Sequence, residues 1–271
     1  MIHPTAIVHP SARIGEGTVI GPSVIIDADV EIGENCEIRA HAVLTGCTKI
    51  GDGNQIGYGV IIGAEPQDSA YAGAKTFVEI GNDNLIREYV TIHRGTKEGS
   101  STKLGNNNFI MAGAHIAHNC VVGNHVTIVN NCLLAGYVQV HDRAFLGGAV
   151  VIHQFTRIGQ LAMVRGQTRL GMDLPPFFMA VSTNTVCGLN RVGIRRNGYN
   201  LGQRKWIQRA YHLLYLEGKN RQQAVAAMSV EPESLSREVC LIRDFISSTA
   251  RGICRSLQSK DLKQAEATEI E

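Results

Sequence analysis

Aliphatic residues recur at every sixth position over most of the chain from Ile2 to Leu170. A period of six matches neither the 3.6-residue repeat of an α-helix nor the two-residue alternation of an ordinary strand. Glycine often follows the aliphatic residue, and the fifth position of the hexad is usually small or β-branched. The hexads therefore predict a mainly β protein, a parallel β-helix in which each hexad forms one short strand and a turn. The repeating positions are Ile2, Val8, Ile14, Ile20, Ile26, Ile32, Ile38, Leu44, Ile50, Ile56 and Ile62, then Ile80, Ile86 and Ile92, then Leu104, Ile110, Ile116, Val122, Ile128, Leu134, Val140, Leu146, Ile152, Ile158, Val164 and Leu170.

The hexad register is interrupted twice before it ends. Breaks near 64–79 and 98–103 predict two insert loops within a β-helix that occupies residues 1–175. Pro175 and Pro176 follow the last hexad, and proline cannot donate to a β-ladder. We therefore expect the repeat to stop at these prolines.

The remaining sequence has a different pattern. Residues 176–255 carry apolar residues at helical spacing, among them Ile207, Leu214 and Ile242, and this spacing predicts a small helical C-terminal domain. The last residues, 256–271, are polar without periodicity, which is typical of a flexible tail.

The hexapeptide pattern resembles the left-handed parallel β-helix family, whose coils hold three hexads. The resemblance implies that positions three hexads apart lie one above the other wherever the repeat is unbroken, as it is over 104–170. The stacked sets are His118 with Gly136 and Gln154, Asn119 with Tyr137 and Phe155, and Gly148 with Gly166.

One of these stacks carries chemically useful groups. A histidine such as His118 is the usual general base near neutral pH. The N–H of Gly136, one coil away, could stabilise an oxyanion because no side chain blocks its approach. The stack contains no Ser or Cys, so the chemistry it favours is direct, base-assisted transfer without a covalent intermediate.

Positive charge is concentrated late in the chain. Between 151 and 210 the sole acidic residue is Asp173, so this stretch predicts an anionic partner: nucleotide phosphates, coenzyme A or an acidic carrier protein. Nucleic acid is not expected, because aromatic residues do not interleave with the basic ones. The basic residues are Arg157, Arg165, Arg169, Arg191, Arg195, Arg196, Arg204, Lys205 and Arg209.

The composition bears on whether the protein crosses a membrane and on the redox state of its cysteines. No run of about 18 apolar residues is present, so no transmembrane segment is expected. The seven cysteines are scattered without a CxxC pair, which favours reduced thiols in a cytoplasmic protein over a disulfide framework.

Several short motifs of the chain are specific. The most specific strings are Thr-Ile-His-Arg-Gly-Thr at 91–96 and Ala-His-Ile-Ala-His at 114–118. Others are Gln67-Asp68, Ile86-Arg87-Glu88, His153-Gln154-Phe155 and Asp173-Leu174-Pro175-Pro176. These motifs resemble those of the acyl-[acyl-carrier-protein]:UDP-N-acetylglucosamine O-acyltransferases, which begin lipid A synthesis, and the likeness covers about residues 1–255.

The resemblance implies a homotrimer with active sites between neighbouring β-helices. It also implies transfer of a 3-hydroxyacyl chain from acyl carrier protein to the 3-hydroxyl of UDP-N-acetylglucosamine, with no cofactor and no metal. By this resemblance His118 is the general base, Asn119 its neighbour, Gly136 the oxyanion amide and Gly166 the residue that sets acyl length. Substrate contacts would come from Gln67, Asp68, His115, Tyr137, His153, Gln154, Asn190 and Arg196.

The sequence departs from the family pattern at three positions. Ala70 stands where the family usually has lysine, Asn119 where it has aspartate and Tyr137 where it has histidine. These departures leave open an acceptor with a 3-amino group, and also a non-catalytic paralogue. Two other classes are a zinc carbonic anhydrase, for which His115 and His118 would supply two of three ligands, and a coenzyme-A-dependent acetyltransferase.

Overall fold

The computed structural model describes residues 1–230 and 236–257. The predicted fold class is confirmed: a parallel β-helix is followed by a region with four helices among the described residues. The β-helix strands are β1 (Ile7–Val8), β2 (Arg13–Ile14), β3 (Val19–Ile20), β4 (Ile25–Ile26), β5 (Glu31–Ile32), β6 (Glu37–Ile38), β7 (Val43–Leu44), β8 (Cys47–Ile50), β9 (Gln55–Ile56), β10 (Ile61–Ala64), β11 (Phe77–Ile80), β12 (Leu85–Ile86), β13 (Thr91–His93), β14 (Ser101–Leu104), β15 (Phe109–Ile110), β16 (His115–Ile116), β17 (Val121–Val122), β18 (Thr127–Ile128), β19 (Leu133–Leu134), β20 (Gln139–Val140), β21 (Phe145–Leu146), β22 (Val151–Ile152), β23 (Arg157–Ile158), β24 (Met163–Val164) and β25 (Arg169–Leu170).

Every third strand joins the same sheet, so the β-helix has three faces. We call the sheets that begin with β1, β2 and β3 sheets I, II and III. Strands that are neighbours in a sheet pair in parallel, and Ile116 of β16 pairs with Leu134 of β19 and Leu134 with Ile152 of β22. Partners in adjacent coils are therefore three hexads apart, which confirms the predicted size of a regular coil.

The two insert loops lengthen one coil each. Ile61 pairs with Thr91, and Thr91 pairs with His115, so both of these coils are longer than three hexads. The first loop is shorter than the predicted 64–79, because Phe77–Ile80 forms strand β11. The second loop ends before Ser101, where β14 begins, rather than at the predicted 103.

The interior of the β-helix is a stack of aliphatic side chains, and the repeating positions from Ile20 to Leu170 are at most 4% exposed. Three buried asparagines interrupt this stack at the small position of the hexad. The Nδ2 of Asn84 donates to Oδ1 of Asn54 at 2.9 Å, and Oδ1 of Asn84 accepts the backbone N–H of Asn108 at 2.9 Å. This ladder joins the coils that flank both inserts.

The outward face of sheet II carries charges of alternating sign. Arg13, Glu31, Lys49, Glu79 and Lys103 stand in register on successive strands. Arg13 lies 3.3 Å from Glu31, and Lys103 lies 3.0 Å from Glu79. Such exposed ladders of opposite charges suit a face that stays in contact with water.

The β-ladder continues past the prolines, although the hexad repeat ends at Leu170. After Pro175 and Pro176 the chain forms β26 (Phe178–Val181), which pairs in parallel with β24, and β27 (Thr185–Leu189), which pairs antiparallel with β26. The prolines lie in the turn before β26, where the ladder needs no N–H. The helical region therefore begins only after this hairpin, later than the predicted residue 176.

Four helices and one strand complete the described chain: α1 (Arg191–Arg196), α2 (Leu201–Tyr215), α3 (Arg221–Val230), α4 (Arg237–Ser247) and β28 (Arg255–Ser256). A capping box between Asn200 and Gln203 begins α2. Arg157 of β23 connects the β-helix to α4, because its guanidinium pairs with buried Asp173 at 2.7 Å and donates to the carbonyl of Phe245 at 2.9 Å.

Two sequence expectations concern regions at the margin of the described structure. Residue 256 of the predicted tail 256–271 lies in β28, and residues from 258 onward lie outside the described residues. None of the described helices is both long and apolar enough to cross a membrane.

We expect Asn84→Ala to lower the free energy of unfolding by about 1–3 kcal/mol, because it removes two buried hydrogen bonds and leaves the Asn108 N–H without an acceptor. Urea unfolding at one protein concentration measures the change. Asn130→Ala, at an exposed turn asparagine, is the matched control and should have little effect. Equal losses in the two variants would contradict a stabilising role for the ladder.

Candidate active site

The predicted stack of His118, Gly136 and Gln154, which we call the site column, is present at the edge between sheets I and II. Each residue follows a sheet I strand by two positions, after β16, β19 and β22. The N–H of Tyr137 donates to the carbonyl of His118 at 3.0 Å, and that of Phe155 donates to the carbonyl of Gly136 at 3.2 Å. These bonds hold adjacent coils in the predicted vertical alignment.

Gly136 lies directly over the imidazole of His118. A Cβ added at Gly136 would overlap Cε1 of that ring, so any other residue would force the histidine to move. Within the described residues no group accepts the N–H of Gly136. The site column therefore presents an unused backbone donor beside an imidazole.

The His118 ring is 3% exposed and has a polar side chain beside each of its nitrogens. Its Nδ1 lies 3.1 Å from Oδ1 of Asn119, and its Nε2 lies 3.6 Å from Oδ2 of Asp68. The ring also meets Tyr137 edge to face, with centroids 5.4 Å apart. Asp68 comes from the first insert loop, so that insert brings a carboxylate to the site column.

Two further histidines lie beside His118. The rings of His93 and His115 meet edge to face at 4.8 Å, and Nδ1 of His115 lies 2.7 Å from Oγ1 of Thr91. Burial, reinforced by the neighbouring histidines, lowers the pKa of His93 to about 4 and also lowers the pKa of His115. Both rings are therefore neutral at pH 7 and add no positive charge beside His118.

No group of three or more His, Cys, Asp or Glu side chains in the described ranges is arranged to hold a metal ion.

The first insert loop is held against the β-helix by Arg94. Its guanidinium donates to the carbonyl of Gly63 at 2.8 Å, to Glu65 at 3.1 Å and to the hydroxyl of Tyr71 at 2.9 Å. Ala70 is exposed, and its N–H donates to Asp68 Oδ1 at 2.9 Å. Arg94 thus supports the segment that presents Asp68.

The upper end of the site column is open. The rings of Tyr137 and Phe155 are stacked with centroids 4.9 Å apart, and Phe155 is 53% exposed. His153 and Gln154 are also exposed. These residues form a rim above Gly136 that a bound molecule could reach.

The remaining predicted residues lie in other parts of the fold. Gly166 stands over Gly148, and a Cβ at Gly166 would lie 3.2 Å from the Gly148 carbonyl oxygen. Exposed Gln67 precedes Asp68 in the insert loop. Asn190 caps α1 by accepting the N–H of Gly193, and its Nδ2 donates to the carbonyl of Leu161, so both ends of its amide are used within the chain. Arg196 is exposed at the last turn of α1.

Sequence reasoning missed Thr96, Arg94 and His93 as members of the site. All three belong to the Thr-Ile-His-Arg-Gly-Thr string and adjoin the second insert loop, where the three-hexad spacing no longer holds. The specificity of that string was the available signal. The structure was required to identify their contacts, which are those of Thr96 with Asn119, Arg94 with Tyr71 and His93 with His115.

Two family models match parts of the chain. The model of the UDP N-acetylglucosamine O-acyltransferase domain 2 family matches residues 173–254, and the bacterial transferase hexapeptide model matches residues 11–46, 29–64 and 101–136.

Among curated relatives, the acyl-[acyl-carrier-protein]–UDP-N-acetylglucosamine O-acyltransferase of Psychromonas ingrahamii is 56% identical over 257 residues, covering 94% of this chain and 98% of the relative. That of Syntrophobacter fumaroxidans is 40% identical over 257 residues, covering 94% and 99%. The crystal structure of a UDP-N-acetylglucosamine acyltransferase from Bacteroides fragilis is 40% identical, with a TM-score of 0.90, and covers 94% of this chain and all of that one. The chain thus belongs to the family of acyl-[acyl-carrier-protein]–UDP-N-acetylglucosamine O-acyltransferases.

Proposed function

We propose that the protein transfers a 3-hydroxyacyl chain from acyl carrier protein to the 3-position of UDP-N-acetylglucosamine, the first step of lipid A biosynthesis. The observation that carries this proposal is that Gly136, whose N–H has no acceptor among the described residues, lies directly over the His118 imidazole. A base and an oxyanion donor so close together suit acyl transfer. The family relationship supplies the substrate classes.

In the proposed first step, Nε2 of His118 accepts the proton of the sugar 3-hydroxyl as its oxygen attacks the thioester carbonyl. Nε2 faces Asp68 Oδ2 at 3.6 Å. A carboxylate and an unprotonated imidazole nitrogen are both acceptors, so this part of the site suits a donor such as a sugar hydroxyl.

In the second step, the tetrahedral intermediate places its oxyanion within reach of the Gly136 N–H. The intermediate then collapses, the C–S bond breaks, and the proton held by His118 passes to the departing thiolate of the carrier protein. His118 returns to its neutral form. The proton and charge balance closes without a covalent acyl-enzyme, and the proposal includes no cofactor or metal.

The remaining residues have proposed roles in binding. Gln67 and Asp68 would contact the sugar from the insert loop, and His115, Tyr137, His153 and Gln154 would line the cleft that holds the sugar and the acyl chain. Arg196 would contact the nucleotide. Asn190, whose side chain also binds the backbone of Leu161 and Gly193, would contact the nucleotide beside Arg196.

Acyl length is proposed to depend on Gly166. With glycine at 166 and at 148 below it, no side chain projects from either position. The absence of bulk there would leave room for a longer chain.

The proposed assembly is a homotrimer in which a second copy completes the cleft. Two apolar residues follow His115 in the outward column of sheet I, Leu133 at 46% and Val151 at 39% exposure, and Phe145 on sheet III is 36% exposed. Sheet II carries the alternating charges described above as far as Lys103, after which its column continues with Val121, which is 44% exposed. We therefore expect sheet II to face solvent and the apolar columns to pack against neighbouring copies.

The proposed docking surface for the carrier protein is a groove between α1 and α2. Exposed Arg191, Arg195 and Lys205 line it together with apolar Val192 and Leu201, which are 48% and 70% exposed. Arg157 differs from these exposed basic residues, because its guanidinium forms an ion pair with Asp173 within the chain and is not free to bind a partner. A basic groove with an apolar floor suits an acidic carrier protein.

Replacing the general base tests the proposed chemistry. We expect His118→Ala to lower kcat by roughly 10²–10⁴-fold, because proton transfer from the sugar hydroxyl loses its acceptor. The measurement is acyl transfer from hydroxyacyl carrier protein to UDP-N-acetylglucosamine, with circular dichroism as a check of the fold. His9→Ala, at an exposed histidine of the first coil, is the matched control. Retained activity in His118→Ala would contradict the assignment.

The acceptor is tested in the same assay by offering UDP-N-acetylglucosamine and its 3-amino analogue in parallel. We expect ester formation with the natural sugar. Turnover of the amine alone would identify an amide-forming enzyme, since an amine needs less help from a base than a hydroxyl. Turnover of neither substrate by folded protein would overturn the proposed function.

The docking surface is tested by charge reversal. We expect Lys205→Glu to lower kcat/KM for acyl carrier protein about tenfold at low salt, with a smaller loss at high salt, because exposed charges are screened. Turnover of the same acyl group on pantetheine alone should not change. Arg221→Glu, an exposed arginine outside the groove, is the control, and an equal loss there would contradict the location.

A further inference from the structure

Asn119 is held by two donors from Thr96. The backbone N–H of Thr96 lies 3.1 Å from Oδ1 of Asn119, and the Thr96 hydroxyl lies 2.9 Å from the same atom. A backbone N–H can only donate. The atom that faces it must therefore be the amide oxygen and not the amide nitrogen.

This orientation determines which nitrogen of His118 carries a proton. The oxygen that accepts from Thr96 also lies 3.1 Å from Nδ1 of His118. An amide oxygen is only an acceptor, so Nδ1 must be the donor in neutral His118. Nε2 then keeps its lone pair, which is the form that a general base requires.

The direction of the network extends one residue further. The Thr96 hydroxyl donates its single proton to Asn119, so in its 3.0 Å contact with the Tyr137 hydroxyl it must accept. Tyr137 donates to Thr96, Thr96 donates to Asn119, and His118 donates to Asn119 from the other side. Thr96 is 7% exposed, so water competes little for these bonds.

An asparagine needs this support where an aspartate would not. Both carboxylate oxygens accept, so either face of an aspartate suits Nδ1–H. An amide can turn over and present its NH₂ group to Nδ1, which would then have to accept, and the proton would move to Nε2. That tautomer of His118 cannot act as a base.

We propose that Thr96 and Tyr137 are positioning residues whose hydroxyl groups, in addition to the Thr96 backbone N–H, are needed to keep the amide oxygen of Asn119 on His118 and thereby keep Nε2 free. The catalytic part of this inference rests on the proposed function, because it takes His118 as the base. The tautomer itself can be measured without any turnover.

The direct test is ¹⁵N NMR of protein labelled at its ten histidines, with the His118 signals assigned by their loss in His118→Gln. We expect neutral His118 to be protonated at Nδ1 in the native protein. Thr96→Val and Tyr137→Phe should each increase the fraction protonated at Nε2. Thr18→Val is the matched control, because Thr18 is a buried threonine of the first coil whose hydroxyl donates to the Gly33 carbonyl at 2.8 Å. An unchanged His118 tautomer in Thr96→Val would overturn the proposal.

A kinetic test separates positioning from mere stabilisation. We expect Thr96→Val to lower kcat about three- to tenfold with little change in KM, the loss of about one hydrogen bond. In an Asn119→Asp background the same substitution should lower kcat much less, because both oxygens of a carboxylate accept a hydrogen bond and either one can face Nδ1–H. Equal losses in both backgrounds would contradict positioning. If neither background transfers acyl groups, the proposed function fails, while the NMR result still decides the role of Thr96.

Discussion

The pairing of aliphatic side chains in the interior of the β-helix determines where every other residue lies. Because Ile116, Leu134 and Ile152 pair strand to strand in one sheet, the residues two positions after them must also stand in line. The residues of the site column are therefore neighbours through the hydrophobic register, and their own interactions are not needed to bring them together. A chemically useful arrangement follows from an apolar repeat that takes no part in the chemistry.

The same turn position carries different residue types at two edges of the β-helix. At the edge between sheets II and III, an Asp or Asn side chain accepts the N–H of the residue one coil below, as Asp52 does for Glu34 at 2.8 Å and Asp142 does for Asn124 at 2.8 Å. At the edge between sheets I and II the corresponding positions of three successive coils hold His118, Gly136 and Gln154, so no Asp or Asn stands there to accept the N–H one coil below. The site column thus gives up a stabilising interaction and keeps a donor free for a substrate, as functional sites often do.

Much of the fold was predictable from sequence, because a hexad period sustained along so much of the chain admits few architectures. The stack of His118 and Gly136 was predictable for the same reason, since no insert falls between them. Thr96 was not, because the second insert lengthens the coil between Thr91 and His115, and a loop's length does not say which residues it brings together. Asp68 was predictable only through the resemblance, since it comes from the coil that the first insert lengthens. The hairpin after Pro176 is not predictable from the prolines, because proline ends a ladder only within a strand and both prolines fall in a turn before β26.

Asn119, the neutral residue beside His118, requires the surrounding residues to fix its amide orientation and to keep positive charge away from the imidazole. An aspartate would both orient the imidazole and stabilise its protonated form by charge. Asn119 can do only the first, and only when its amide is held in one orientation. His93 and His115 help in a complementary way, because burial lowers the pKa of both and so keeps positive charge away from the ring that must become protonated. The site therefore combines a directed hydrogen-bond network with neutral neighbours, and the residues that create it come from both sides of the second insert.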